Sequence, residues 1–171
     1  VSDEIKRWAS GELTSPPFFV FLTTERIKDL TKGGKSVIFS GFLRSIYEAE
    51  KELPIVCDLY GKENIKFIFI EISAETTIFR NSNRKICELM RHSILFNKET
   101  EDLKLCPLDG SKLVRRKGLD SEETIKKRLK VFEAETRPVM NYIESQGIKV
   151  RRINGEQSVS DVFNDILEEL K

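Results

Sequence analysis

Residues 65–72 read Ile-Lys-Phe-Ile-Phe-Ile-Glu-Ile. Almost every position is β-branched or aromatic, as in a strand covered on both faces. A strand of that kind needs layers above and below it. The segments around it supply them. Residues 16–31 begin with Pro16-Pro17, carry apolar Phe18 to Leu22, Ile27 and Leu30, and stop at Gly33-Gly34, which predicts a helix. Val37–Phe39 is a short apolar run, and Ser45–Leu53 has helical periodicity. Ala74–Arg91 is expected to be helical. A long helix starts near Asp120, with Ile125, Leu129, Phe132, Val139 and Ile143 on one stripe. Ile148–Ile153 predicts a short strand, and Ser158 with Asp161 three residues on predicts a capped final helix. Strands alternating with helices imply a mainly parallel sheet. Residues 92–119 have no period and carry Cys-Pro and Asp-Gly turn signals, so they read as an inserted lobe.

The chain has 171 residues, enough for one domain with a small insertion. It is 39% hydrophobic and 33% charged, with a net charge of +1. A general nucleic-acid or membrane surface is not indicated by that balance. No apolar run approaches the ~20 residues that span a bilayer. Cys57, Cys87 and Cys106 make an odd count, which points to a reducing compartment instead of a disulfide framework. Val1-Ser-Asp-Glu-Ile-Lys has neither a leader pattern nor an initiator methionine, so the sequence reads as processed, trimmed or a fragment.

The turn Ser40-Gly41-Phe42-Leu43-Arg44 joins the apolar run to a helix. That places it at the carboxyl end of a sheet, where open α/β folds bind ligands. An arginine there can grip a phosphate or carboxylate with two parallel hydrogen bonds, or it can be a solvated turn residue. Arg80 and Arg84, spaced i, i+4, share a helix face. With Arg116 and Arg128 they could converge on a polyphosphate and neutralise its charge. The other reading is a set of solvated helix faces among acidic neighbours.

Cys87-Glu-Leu-Met-Arg-His92 and Cys106-Pro-Leu-Asp109-Gly110 are two knuckles of zinc-site form. Met90 occupies a position where a second cysteine would complete the pattern, and His92 supplies a C-x4-H alternative. A lobe held only by apolar and hydrogen-bonded contacts is the competing reading. Gly33-Gly34-Lys35-Ser36 ends like a phosphate-binding loop. It precedes a strand instead of opening a helix, so it reads as a helix stop. No G-x-x-x-x-G-K-[ST] loop occurs in the 171 residues.

In order, these pieces resemble the adenylate kinase family in its zinc-type, long-lid form, with the N-terminal end absent. Ser40-Gly-Phe-Leu-Arg44 is similar to the family's D-G-F-P-R, and Trp8-Ala-Ser-Gly-Glu-Leu-Thr14 to its M-x-x-G-x-L-V. Arg80-x3-Arg84-x2-Cys87 resembles the entry to the lid. Cys106 to Arg116 resembles the lid's second half, and Glu122 to Leu129 the helix leaving it. Asn154-Gly155 resembles the turn on the adenine side.

The resemblance implies a three-layer parallel α/β fold like that of phosphate-loop kinases, with helices on both faces and an inserted lid. Its first strand and phosphate loop are expected to be absent. Residues 1–84 and 117–171 would form an incomplete core, and 85–116 the lid. It implies phosphoryl transfer between ATP and AMP with Mg2+, impaired without the phosphate loop, or a non-catalytic binding remnant of such an enzyme. It also implies a cytoplasmic monomer with no nucleic-acid or membrane partner.

By resemblance, Arg80, Arg84, Arg116 and Arg128 are the catalytic cations. AMP would meet Glu12, Leu13, Thr14, Gly41, Phe42, Leu43, Arg44 and Glu48, along with Arg116 and Arg128. ATP would meet Arg84, Ser93, Ile94 and Gln157. Cys87, His92, Cys106 and Asp109 would hold structural Zn2+. The chain departs from the family pattern at Ser40 (for aspartate), Leu43 (for proline), Glu48 (for glutamine) and Met90. One residue is inserted between Arg116 and Arg128.

Overall fold

Proline lacks the N–H that the first helical turn leaves unpaired, and its φ is already helical. In the computed structural model, which describes residues 2–9, 15–116 and 120–171, helix α1 covers Ser2–Ala9, and Pro16 and Pro17 open α2 at Pro16–Lys32. Helix α3 follows at Ile46–Tyr60, then a 3-10 turn at Lys62–Asn64 and strand β1 at Phe67–Glu71. Helix α4 is Ala74–Asn83, and three short strands follow: β2 (Lys85–Cys87), β3 (Ser93–Ile94) and β4 (Leu113–Val114). Helix α5 (Glu122–Val131) passes through a π-turn at Phe132–Thr136 into α6 (Arg137–Ser145). Strand β5 (Val150–Asn154) and α7 (Val159–Leu170) complete the described chain.

The strands form a parallel sheet of β1 and β5, and an antiparallel sheet in the order β3-β2-β4. The fold is mixed α/β. The chain divides into two compact units. One holds residues 1–69, 132–151 and 170; the other holds 70–131, 152–169 and 171.

In the first unit α2 packs on α3, and α3 on α6. Its core joins Leu43, Ala49, Leu53, Val139, Met140, Ile143, Ile148 and Val150. Each fully buried aliphatic side chain there contributes roughly 1.5–3 kcal/mol. In the second unit α4 packs on α5, and the small sheet pairs Ile86 with Val114 and with Ser93. Residues 92–116 thus contribute β3 and β4 to a sheet whose middle strand comes from before the lobe.

Four expectations change. First, Val37–Phe39 joins no ladder among the described residues, and Ile38 is 98% exposed. A strand needs a hydrogen-bonded neighbour, and among the described residues none lies beside it. Second, α3 does not stop at Leu53. It runs through Pro54, forgoing one backbone bond, and ends at Gly61, whose φ of 79° leaves the helical region.

Third, the helix expected over Ala74–Arg91 stops at Asn83. Asn81, Ser82 and Asn83 each turn back to donate to the carbonyl four residues earlier. Such residues compete with the backbone and weaken a helix. Lys85–Cys87 then finds ladder partners on both sides. Fourth, β1 is only half-buried over Phe67–Phe69, and Ile70 is 45% exposed, so cover on both faces is incomplete. Among the described residues, no helix is long and apolar enough to cross a membrane.

Candidate active site

The Ser40–Arg44 corner is built by unusual backbone. Gly41 has φ 73° and Leu43 φ 55°. A non-glycine residue in that region costs roughly 1–2 kcal/mol. Leu43 is 2% exposed, so its burial in the core offsets the strain. Proline, fixed near φ −65°, could not adopt this conformation. Phe42 stacks on Phe39, with ring centroids 4.2 Å apart.

Three hydrogen bonds fix Arg44. Its backbone N–H donates to Glu48 Oε2 at 2.7 Å, its Nε–H donates to the Gly41 carbonyl at 2.8 Å, and its carbonyl accepts from the Thr136 hydroxyl at 2.7 Å. Ser45 caps α3 by accepting from the Glu48 N–H at 3.3 Å. Ser45-x-x-Glu48 is therefore a variant of the capping box, with the glutamate reaching one residue further back than usual. That signal was present in the sequence and assigns Glu48 a backbone task. Arg44 itself is exposed.

The second unit holds an open cavity of about 290 Å³. Ile72 and Leu95 give it an apolar wall, and Thr77, Arg80, Arg84 and Ser93 line it with polar groups. Arg80 donates to the Gly155 and Glu156 carbonyls at 2.7 and 3.1 Å. The Glu156 carboxylate in turn accepts the Ser73 N–H at 2.7 Å, and that bond helps hold its pKa below the usual value. Arg84 is the residue that ends α4. It donates to Asp120 Oδ1 at 2.7 Å, and Arg116 Nη1 lies 4.0 Å from the same oxygen.

The third cluster is Cys87, His92, Cys106 and Asp109. One donor atom from each lies within 4.8 Å of all the others. Cys87 Sγ is 3.1 Å from Asp109 Oδ2 and 3.5 Å from His92 Nδ1; Cys106 Sγ is 3.5 Å from the same nitrogen. Both cysteines are buried. Asp109 is oriented from behind: its Oδ1 accepts the Ser111 N–H and hydroxyl at 2.9 and 2.7 Å, which hold its pKa far below the usual carboxylate range. Burial pushes the Cys106 thiol up. Arg91 takes φ 61°, turning the chain just before His92, while Met90 is 63% exposed. Two sulfurs, a nitrogen and a carboxylate oxygen at this spacing are a donor set that zinc accepts.

An adenylate kinase of Staphylococcus epidermidis is similar to this chain, 31% identical over 160 residues that cover 92% of the chain and 72% of the relative. One of Bacillus subtilis is 30% identical over 159 residues, covering 91% and 70%. One of Mycoplasma capricolum is 35% identical over 142 residues, covering 79% and 63%. The chain belongs to the adenylate kinase family. No model of a known protein family matches it.

As an adenylate kinase family member the chain is a phosphotransferase of the nucleoside monophosphate kinase class. Of the residues singled out by resemblance, the structure brings Arg80, Arg84 and Ser93 to one cavity, with Ile94 following Ser93 on β3. Arg116 reaches the Asp120 end of Arg84, not the cavity lining. Arg128 is exposed on α5 and does not line the cavity. The Gln157 amide donates to Asp165, eight residues on in α7. Gly41, Phe42, Leu43, Arg44 and Glu48 gather at the α3 corner. Glu12, Leu13 and Thr14 lie outside the described residues, as does Gly11. Sequence reasoning missed Asp120 and Glu156. Neither stands in a periodic pattern that marks it.

Proposed function

We propose that this chain carries the nucleotide sites of an adenylate kinase, with ATP (as its magnesium complex) and AMP as substrates. The observation that carries the reading is the cavity where Arg80, Arg84 and Ser93 meet beside Asp120 and Arg116. Guanidinium groups held from behind suit a polyphosphate, whose charge spreads over several oxygens.

Arg84 and Arg80 face the donor phosphates, with Arg116 and Arg128 adding charge from the lid arm and α5. Ser93, Ile94 and Gln157 border the ATP, and Arg44 holds the acceptor phosphate. Arg44 spends its Nε–H on Gly41, which leaves the terminal nitrogens for that anion. Gly41, Phe42, Leu43 and Glu48 shape the acceptor corner, joined by Glu12, Leu13 and Thr14. No covalent step with the protein is needed. The side chains bind, orient and neutralise, and exclusion of water favours transfer to AMP over hydrolysis.

For these 171 residues as they stand, transfer is slow. They contain no Walker-type loop, so the donor phosphates lack a cradle of backbone N–H groups and its lysine. Ser40 supplies a neutral hydroxyl where a carboxylate would hold a water of the magnesium shell.

Cys87, His92, Cys106 and Asp109 hold a structural zinc ion. Bound there, zinc cross-links the start of the lobe to its end. The protein's own part is orientation: Ser111 fixes Asp109, and the His92 N–H donates to Cys87 Sγ at 3.1 Å.

The test is calorimetric titration with AMP, CMP, UMP and GMP, paired with a coupled assay for ADP. AMP should bind best, and Arg44→Ala should weaken it about tenfold or more. Equal binding of all four monophosphates, or an Arg44→Ala protein that binds AMP normally, overturns the acceptor assignment. Fast ADP formation from a preparation free of other kinases overturns the slow-transfer part.

A further inference from the structure

Ser73 is the N-cap of α4, where its hydroxyl oxygen accepts the Thr76 N–H at 3.1 Å. In a capping box the third helical residue is a glutamate or glutamine that reaches back to the N-cap N–H. Here that residue is Thr76, and the acceptor comes from elsewhere in the chain. Glu156 Oε1, 83 residues on, takes the Ser73 N–H at 2.7 Å. The Ser73 N–H foremost, then the Thr76 and Ser73 hydroxyls, hold the Glu156 carboxyl below its usual pKa. A negative charge at that end of α4 is also favoured by the helix dipole.

α4 grips the same turn a second time. Arg80, roughly two turns along the helix, donates to the Gly155 carbonyl from Nη1 and to the Glu156 carbonyl from Nη2. The turn is braced internally as well: the Glu156 N–H donates to Asn154 Oδ1 at 3.0 Å, and the Gly155 N–H to the Glu71 carbonyl. Glu156 therefore meets α4 through both its side chain and its main chain. Arg80 lines the cavity and Glu156 does not, so Glu156 reaches a ligand through Arg80. Ser73 and Glu156 are both exposed, and water competes for their bond. It adds little to stability for that reason, and its effect lies in placement.

We propose that Glu156 is a positioning residue: its carboxylate completes the α4 cap from the β5–α7 turn and pins that turn, so that the Gly155 and Glu156 carbonyls hold the Arg80 guanidinium at the cavity. The inference rests on reading the cavity as the ATP site. A carboxylate that served the helix alone makes a different prediction: its loss would loosen α4 and leave Arg80 where it is.

The experiment compares the wild-type chain with Glu156→Ala and Glu156→Gln. One readout is the Arg80 Nε–H resonance in a 15N-labelled protein, assigned by its loss in Arg80→Lys. The other is affinity for ATP beside affinity for AMP. In Glu156→Ala the resonance should shift or broaden, ATP should bind about fivefold more weakly, and AMP should stay within about twofold. Gln keeps an acceptor oxygen for the Ser73 N–H, so Glu156→Gln should restore the resonance and most of the ATP affinity. An undisturbed Arg80 signal in Glu156→Ala overturns the proposal, as does a Gln variant that behaves like Ala. Equal losses for ATP and AMP also overturn it, since they report general loosening. The resonance decides the positioning role whether or not the cavity takes ATP; a wild-type chain that ignores ATP sinks the nucleotide reading alone.

Discussion

Thr23 and Glu52 meet between α2 and α3, where the threonine hydroxyl donates to Glu52 Oε1. Glu52 is 0% exposed, and its Oε2 has no hydrogen-bond partner among the described residues. Burial pushes its carboxyl up to about 7; the Thr23 bond lowers it, and the Glu48 charge raises it. The group therefore folds most readily with its proton on. Its contribution is complete below about pH 4.5 and is lost as pH rises to about 7, levelling off above that. The lost stability is roughly 3 kcal/mol. Glu52→Gln should erase this part of the pH dependence and stabilise the protein at pH 8. Urea melts at pH 5 and pH 8 check it. If wild type and variant lose equal stability over that interval, Glu52 is not the group responsible.

Gly155 should tolerate no side chain. Its N–H donates to the Glu71 carbonyl at 2.6 Å, and an added Cβ would stand 2.7 Å from that oxygen and 2.8 Å from Ile70 Cγ2. Backbone on one side and a β-branched residue on the other leave little room to yield. Gly155→Ala should cost roughly 1–3 kcal/mol. Because Arg80 donates to the Gly155 carbonyl, ATP binding should weaken as well. A thermal melt and an ATP titration report the two effects, and a variant that melts with wild type contradicts the packing argument.

Gly41→Ala is a probe of the acceptor corner. The glycine has φ 73°, and a Cβ there would run into the Arg44 guanidinium. The arginine must leave its seat, and the backbone takes on strain of roughly 1 kcal/mol. AMP affinity should fall by a larger factor than ATP affinity. Equal losses for both nucleotides would point to general unfolding instead.

The candidate metal centre predicts a contrast between Cys106 and Met90. Cys106→Ser removes a buried donor and should lower zinc content and melting temperature together. Met90→Ala alters an exposed side chain and should change neither. Elemental analysis after dialysis measures the first quantity and calorimetry the second. Zinc retained at full stoichiometry in Cys106→Ser would remove that cysteine from the ligand set.

Where one residue type dominates a local pattern, the sequence was readable. Pro16-Pro17 marks the start of α2, and the spacing from Cys87 to Asp109 anticipates a cluster the structure draws together. Arg80 and Arg84 do share a cavity, though Arg84 sits one residue past its helix and reaches it from there. Other features leave no periodic trace. Strands of two or three residues, as in β3-β2-β4, are shorter than any repeat can reveal. Burial of a charged side chain depends on partners remote in sequence: Glu52 on Thr23, Asp120 on Arg84. The run 37–39 failed for the same reason in reverse, since a β-rich composition cannot by itself provide a neighbour to pair with.

That run has a thermodynamic consequence. Ile38 presents nearly its whole side chain to water beside backbone that joins no ladder among the described residues. A chain that paired there in the folded form alone would raise apparent stability by mass action, and the melting temperature would then climb with that chain's concentration.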